Sequence, residues 1–226
     1  MTRVSAVGHR EDAHAHLMDR VYRYQRHFYD LTRRYYLLGR DRLIAELDAG
    51  PGTTVLEVGC GTGRNLVRAA RLYPDAALHG MDISHEMLVT ARRAAMRHGA
   101  KLRFAQGDAT RFNPYAAFGI GRFDRIYMSY TLSMIPDWQA TLAQGICNLA
   151  PGGSLHIVDF GEQERLPRWF RSALRAWLAK FHVSPRGELE RVLHALAEKL
   201  GADLRFRSLY RGYATYAVLR LPLQGE

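Results

Sequence analysis

Val55-Leu56-Glu57-Val58-Gly59-Cys60-Gly61-Thr62-Gly63, residues 55–63, decides how the rest of the chain is read. An apolar run closes on a carboxylate, and three alternating glycines follow before a helical pattern begins near residue 63. That order reads as a buried strand turning sharply into a helix. Glycine at 59, 61 and 63 permits positive φ and lets a ligand lie against bare backbone. The spacing is GxGxG rather than GxGxxG, and no Walker lysine follows it. A pyrophosphate would favour helix-terminal amides with no carboxylate beside them. Glu57, directly before the loop, suits the cationic end of a ligand better.

Two further acidic positions follow at regular intervals. Asp82 closes the apolar run Ala77–Met81, where a carboxylate can accept both hydroxyls of a ribose. Nicotinamide-dependent enzymes share that feature, so it does not decide alone. Gly107-Asp108-Ala109 follows the next run, and Asp108 is a candidate acceptor for an adenine amino group. Met81, Ile83 and Met87 are apolar enough to sandwich the ring.

Outward from residue 55 the pattern repeats. Apolar runs at 54–58, 77–81, 102–105, 123–128 and 154–160 alternate with helical segments near 63–73, 84–98 and 138–149. Such alternation predicts a parallel sheet covered on both faces, a doubly wound α/β fold. Helical patterns at 167–181 and 186–200 follow. Two strand-like runs, 203–208 and 212–221, then flank a short turn and should pair antiparallel. The expectation is a seven-stranded, mostly parallel sheet closed by a C-terminal hairpin. Ahead of it, residues 1–50 read as a helical extension or lid, with Leu17, Val21, Tyr24, Phe28 and Leu31 at helical spacing. Residues 51–226 read as a single domain.

Taken together, residues 55–63, Met81-Asp82-Ile83-Ser84, 107–109, Phe123-Asp124-Arg125-Ile126 and Leu149-Ala150-Pro151-Gly152-Gly153 resemble the motif series of the class I methyltransferases. The resemblance covers roughly residues 50–160 and implies S-adenosylmethionine as cofactor, with S-adenosylhomocysteine as product. It assigns cofactor contacts to Glu57, Gly59, Gly61, Gly63, Asp82, Ile83, Met87, Asp108 and Ala109. Ser129 and Tyr130 would line the methyl-donor mouth. The flanks at 22–44, 129–138 and 156–160, with the Arg/Trp-rich segment after them, resemble the bacterial betaine-lipid N-methyltransferases. Those enzymes trimethylate the amine of diacylglyceryl homoserine. The related phosphatidylethanolamine N-methyltransferases share much of the pattern.

Several residues bear on an amine substrate. Aromatic faces stabilise an ammonium by about 0.5–2 kcal/mol each. Tyr22 and Tyr29, seven residues apart on one helix face, are cage candidates, whereas Tyr24 and Phe28 lie on the apolar face and suit core packing. Arg40, Arg165 and Arg211 are candidates to grip a head-group carboxylate. Asp159 and His156, near the end of the fifth strand, are candidates to accept a proton, with a structural role the plain alternative. On a helical wheel, Arg165, Arg168, Arg171 and Arg175 share one stripe and Phe170, Leu174, Trp177, Leu178 and Phe181 the opposite face. Such a helix either lies on an anionic lipid surface or serves as a lid with solvated arginines.

Bulk composition narrows the classes. The chain is 47% hydrophobic and 24% charged, as a globular protein should be. Its formal charge of +10 is carried almost wholly by arginine and favours an anionic partner. Two cysteines, Cys60 and Cys147, stand outside any CxxC or Cys/His cluster, so neither a disulfide framework nor a metal site is expected. No added RNA-binding segment and no Asn-Pro-Pro-Tyr motif appear; residues 127–130 read Tyr-Met-Ser-Tyr. A nucleic-acid substrate is therefore not expected, and a quinone-ring C-methyltransferase remains an alternative. No apolar run long enough to span a bilayer and no secretory h-region is present. The expectation is a cytoplasmic enzyme, peripheral on the inner face of the cytoplasmic membrane.

Overall fold

A computed structural model describes residues 37–223. The helix expected at 14–31, with Tyr22 and Tyr29, lies outside them. Helix α1 (Arg40–Ala45) precedes β1 (Thr54–Val58), α2 (Arg64–Leu72), β2 (Ala77–Asp82), α3 (His85–Arg97) and β3 (Leu102–Gln106). Then come α4 (Pro114–Phe118), β4 (Phe123–Ser129), the 3₁₀ turn η1 (Leu132–Met134), α5 (Trp138–Cys147) and β5 (Leu149–Phe160). The tail is α6 (Arg168–Lys180), α7 (Leu189–Leu200), β6 (Asp203–Leu209) and β7 (Ala214–Arg220).

The seven strands form one sheet in the order β3-β2-β1-β4-β5-β7-β6. β1 to β5 run parallel, while β7 pairs antiparallel with both β5 and β6. The order reverses direction between β1 and β4, so their C-terminal ends open a crevice where this fold class binds ligands. One sheet face packs on α1, α2 and α3 through Leu43, Ile44, Leu66 and Leu88. The other packs on α5 and α7 through Trp138, Leu142, Leu189 and Leu193.

Two details differ from the sequence expectation. β5 begins at Leu149 rather than Ser154, because a register shift against β4 absorbs Pro151-Gly152-Gly153: Phe123 faces Leu149, and Arg125 then faces Ser154. Helix α4 was not anticipated. Asn113 caps it, its side-chain oxygen accepting from the amides of Tyr115 and Ala116, with Pro114 in the first turn.

Candidate active site

The glycine loop forms as its sequence demands. Gly59, Gly61 and Gly63 have φ of 72°, 51° and 74°, angles that cost a side chain dearly. At two of them protein packing supplies a second reason. A Cβ on Gly59 would sit 2.6 Å from Thr131 Cγ2, and one on Gly63 would sit 2.9 Å from Ala91 Cβ. Gly63 caps the start of α2 and does not line the cavity that opens above the loop, whereas Gly59 and Gly61 do.

That cavity gathers the ends of β1, β2 and β4. Glu57, Asp82, Ile83, Met87, Ala109 and Ser129 all line it. Asp82 is held by two backbone amides: Gly61 N–H donates to Oδ2 at 2.7 Å and Ser84 N–H to Oδ1 at 2.9 Å. Those bonds fix the orientation of its carboxylate beside the loop. Asp108 is placed differently. Its Oδ1 accepts from the amide and hydroxyl of Thr110, and Oδ2 pairs with Arg111 at 3.4 Å. It braces its own turn, while its neighbours Gly107 and Ala109 face the cavity.

Glu57 is only 1% exposed. Asn65 Nδ2 donates to Oε1 at 2.7 Å and the Tyr127 hydroxyl to Oε2 at 3.0 Å. Burial outweighs both bonds and pushes the carboxyl up to about 8. The sequence signals for these partners were weak. Asn65 lies in the first turn of α2, and Tyr127 comes from β4, where it stands in register with Glu57. Cys60 lines the same cavity, but burial, reinforced by Asp82 and Glu57, pushes its thiol well up. It is wall, not nucleophile.

Beyond the donor end Tyr130 joins the wall. Tyr130 sits at φ 57°, an uncommon conformation for a bulky side chain. Its amide donates to Val158 O at 2.7 Å and its hydroxyl to Leu38 O at 2.6 Å. Its ring meets Phe160 edge-on at 4.7 Å, and Phe160 meets Tyr213 at 6.0 Å. Phe160 and Tyr213, from the ends of β5 and the β6–β7 turn, were missed in the sequence because strands far apart bring them together. Arg40 lines the cavity, whereas Arg165 and Arg211 are exposed elsewhere.

Asp159 and His156 do not line this cavity. Asp159, buried at the end of β5, accepts from the amides of Ser133 and Phe160 at 3.0 and 2.8 Å. Its carboxylate thus anchors η1, whose neighbours Thr131, Met134 and Ile135 form cavity wall. Arg186 completes the anchor, donating from Nε to Leu132 O at 3.0 Å and from Nη2 to Ile135 O at 2.8 Å. His156 lies in the sheet with Nε2 2.9 Å from Ser154 Oγ. Burial, helped by Arg125 and Arg220, lowers it to about 3, so it is neutral and a poor base at neutral pH.

The donor set fits S-adenosylmethionine. An oriented carboxylate (Asp82) ends β2 for a ribose, apolar Met81, Ile83 and Met87 stand where an adenine ring would lie, and Glu57 offers a carboxyl to an ammonium. Ser129 Oγ is buried without a hydrogen-bond partner, as a group awaiting a ligand would be.

Comparison with known proteins agrees. Residues 55–153 match the family model of a methyltransferase domain. Trans-aconitate 2-methyltransferase of Deinococcus radiodurans is 34% identical over 107 residues, 47% of this chain and 38% of that protein. Demethylmenaquinone methyltransferase of Thermus thermophilus is 29% identical over 138 residues, 58% of this chain and 60% of that protein. The chain thus spans about two-fifths to three-fifths of these relatives' length. Among solved structures, the plantazolicin methyltransferase BpumL, in complex with a triazolic desmethylPZN analog and SAH, superposes with a TM-score of 0.70 at 16% identity, over 94% of this chain and 95% of that one. Phosphoethanolamine N-methyltransferase 2 of Haemonchus contortus, in complex with S-adenosyl-L-methionine, gives 0.63 at 16% identity, over 82% and 52%. The glycine loop, the carboxylates around it and the strand order have the same explanation: residues 55–153 are a methyltransferase domain of the class I, S-adenosylmethionine-dependent type.

Proposed function

We propose that this chain methylates the amine of an amino-lipid head group, taking diacylglyceryl homoserine through successive transfers to a trimethylated betaine lipid. The observation that carries the reading is the cavity wall beyond the donor end, lined by Tyr130, at φ 57°, and Arg40, with Phe160 packed behind Tyr130 and Tyr213 behind Phe160 in the core. When bound, S-adenosylmethionine supplies an electrophilic methyl group on a sulfonium. The protein's part is then positioning and electrostatics. The Tyr130 face suits an amine that gains positive character during transfer. Arg40 suits the carboxylate that a homoserine head carries beside its amine. Loss of the amine proton needs no buried base, since water can take it.

The lipid part of the reading draws on α6. Leu174 and Leu178 face the core beside Tyr130 and Phe160, while Trp169 is 75% exposed and stacks edge-on with exposed Phe170. Arg165, Arg168 and Arg175 are exposed around this pair. Among the described residues no helix is long and apolar enough to cross a membrane. An Arg-flanked aromatic pair suits contact with an anionic lipid surface from outside.

A second reading, C-methylation of a quinone ring, is favoured by the similarity to demethylmenaquinone methyltransferases. Lipid mass spectrometry of a heterologous host tests both, with this chain expressed with and without the enzyme that makes diacylglyceryl homoserine. A trimethylated homoserine lipid appearing only with both supports the proposal. Methylated phosphatidylethanolamine, or a newly methylated quinone, replaces it.

A further inference from the structure

The strands β5, β7 and β6 bury their apolar side chains against α7, including Leu155, Ala217, Leu219, Leu204 and Phe206. Their opposite face buries Val158, Phe160 and Tyr216 in the other core, and beside them a second cavity of about 400 Å³ opens among charged side chains. Pairing register arranges that face in rows: Ser154–Arg220–Asp203, His156–Val218–Arg205 and Val158–Tyr216–Arg207. Neighbouring rows stand about 7 Å apart along a strand, so Arg205, Arg207 and Arg220 reach into one space around His156.

Two observations separate this cavity from an ordinary solvated face. The first is His156 itself, 2% exposed and lining the cavity. Its Nε2 is engaged by Ser154 Oγ, but Nδ1 is buried with no hydrogen-bond partner. A buried polar nitrogen left unpaired is costly, and this one belongs to a residue that lines the cavity. The second is the charge balance. Of the acidic residues on the rim, Glu46 pairs with Arg42 at 2.7 Å and Asp203 with Arg205 at 3.5 Å, leaving Asp48. Arg207 and Arg220 have no ion-pair partner among the described residues. Arg125, just behind, spends its guanidinium on the carbonyls of Leu47, Asp48 and Asp124. The lining thus sets three arginines against three carboxylates, with Arg207 also acting on Glu46; once Glu46 and Asp203 are engaged by Arg42 and Arg205, Arg207 and Arg220 face Asp48 alone, above one imidazole edge at the floor.

We propose that this cavity, which shares no lining residue with the donor cavity, binds a phosphate-bearing anion, gripped by Arg207 and Arg220 with His156 Nδ1–H donating from the floor. Guanidinium forks match phosphate oxygens and give the strong, charge-assisted bonds such a site needs. In that tautomer Nε2 accepts from the Ser154 hydroxyl. The same chemistry is offered by free phosphate and by the phosphodiester of an anionic lipid head group, and the site accommodates either.

Titration calorimetry on the full chain tests this with two probes, inorganic phosphate and glycerophosphoglycerol, the water-soluble head group of an anionic lipid. Saturable binding of either is expected. The double variant Arg207→Ala/Arg220→Ala should weaken it about tenfold or more. Arg93→Ala, on the far helix α3, should leave it unchanged. Circular dichroism melting of each variant checks folding, since all three arginines are exposed. Binding of phosphate identifies a free anion as ligand, and binding of the diester alone identifies a lipid head group. The proposal is overturned if neither probe binds saturably, if the double variant binds as wild type does, or if Arg93→Ala weakens binding equally. None of these readouts requires methyl transfer, so they stand apart from the proposed activity.

Discussion

Glu57 concentrates the electrostatics of the donor site in one carboxyl. Its ordinary pKa lies near 4.5, and burial raises it to about 8. A carboxyl raised in the folded state binds a proton on folding, so stability is lost as pH climbs from the unfolded value towards the folded one. Glu57→Gln removes that loss. The variant should match wild type near pH 4.5 and exceed it by roughly 2–4 kcal/mol at pH 8, read by thermal melting across the range. An arriving ammonium favours the charged carboxylate, so donor binding at pH 7 should release about one proton. Calorimetry in buffers of different ionisation enthalpy measures it, and Glu57→Gln should abolish it. Asp82→Asn keeps the shape but removes the charged acceptor held by Gly61 and Ser84. Donor affinity should fall about tenfold or more, since hydrogen bonds to charged groups are worth about 1.5–3 kcal/mol.

At the scale of elements, strand ends place the site and a clamp holds it. The clamp joins β5 to the segment after α6: Asp159 takes the Ser133 amide, and Arg186 takes the carbonyls of Leu132 and Ile135. Arg186→Leu orphans both carbonyls at once and should cost about 1–3 kcal/mol of stability. Its larger signature is kinetic: acceptor KM should rise while donor affinity stays within about twofold, because Thr131, Met134 and Ile135 wall the cavity but Asp82 and the glycine loop are untouched. The elements themselves were legible in the sequence, since β1 to β4 and the terminal hairpin announce themselves by period and punctuation. The glycine loop and Asp82 were legible for the same reason, their signals being local. The protein partners that hold Asp108 and Asp159 were not. A carboxylate at a strand end reads alike whether it faces a ligand or braces a turn: Asp108 is turned by its near neighbour Thr110, and Asp159 by Ser133, which folding brings close. Tyr213 and Arg186 were invisible because they support the cavity wall from behind, through Phe160 and η1, and come from segments far along the chain.

For the whole molecule, the domain joins a donor crevice at the β1/β4 reversal to a basic, aromatic outer surface on α6. If that surface meets lipid, Trp169→Ala/Phe170→Ala should reduce association with phosphatidylglycerol vesicles about tenfold or more, each buried aromatic being worth about 1.5–3 kcal/mol. Flotation measures this, with phosphatidylcholine vesicles as the weak-binding reference. Undiminished flotation of the double variant would remove α6 from the account. The most direct measurement is of the transfer itself. Purified chain is incubated with methyl-labelled S-adenosylmethionine and vesicles that carry diacylglyceryl homoserine, phosphatidylethanolamine or a demethylated quinone. Label is expected in the homoserine lipid, accumulating through mono-, di- and trimethylated forms. Label in the quinone alone, or in no lipid while the donor still binds, would contradict it.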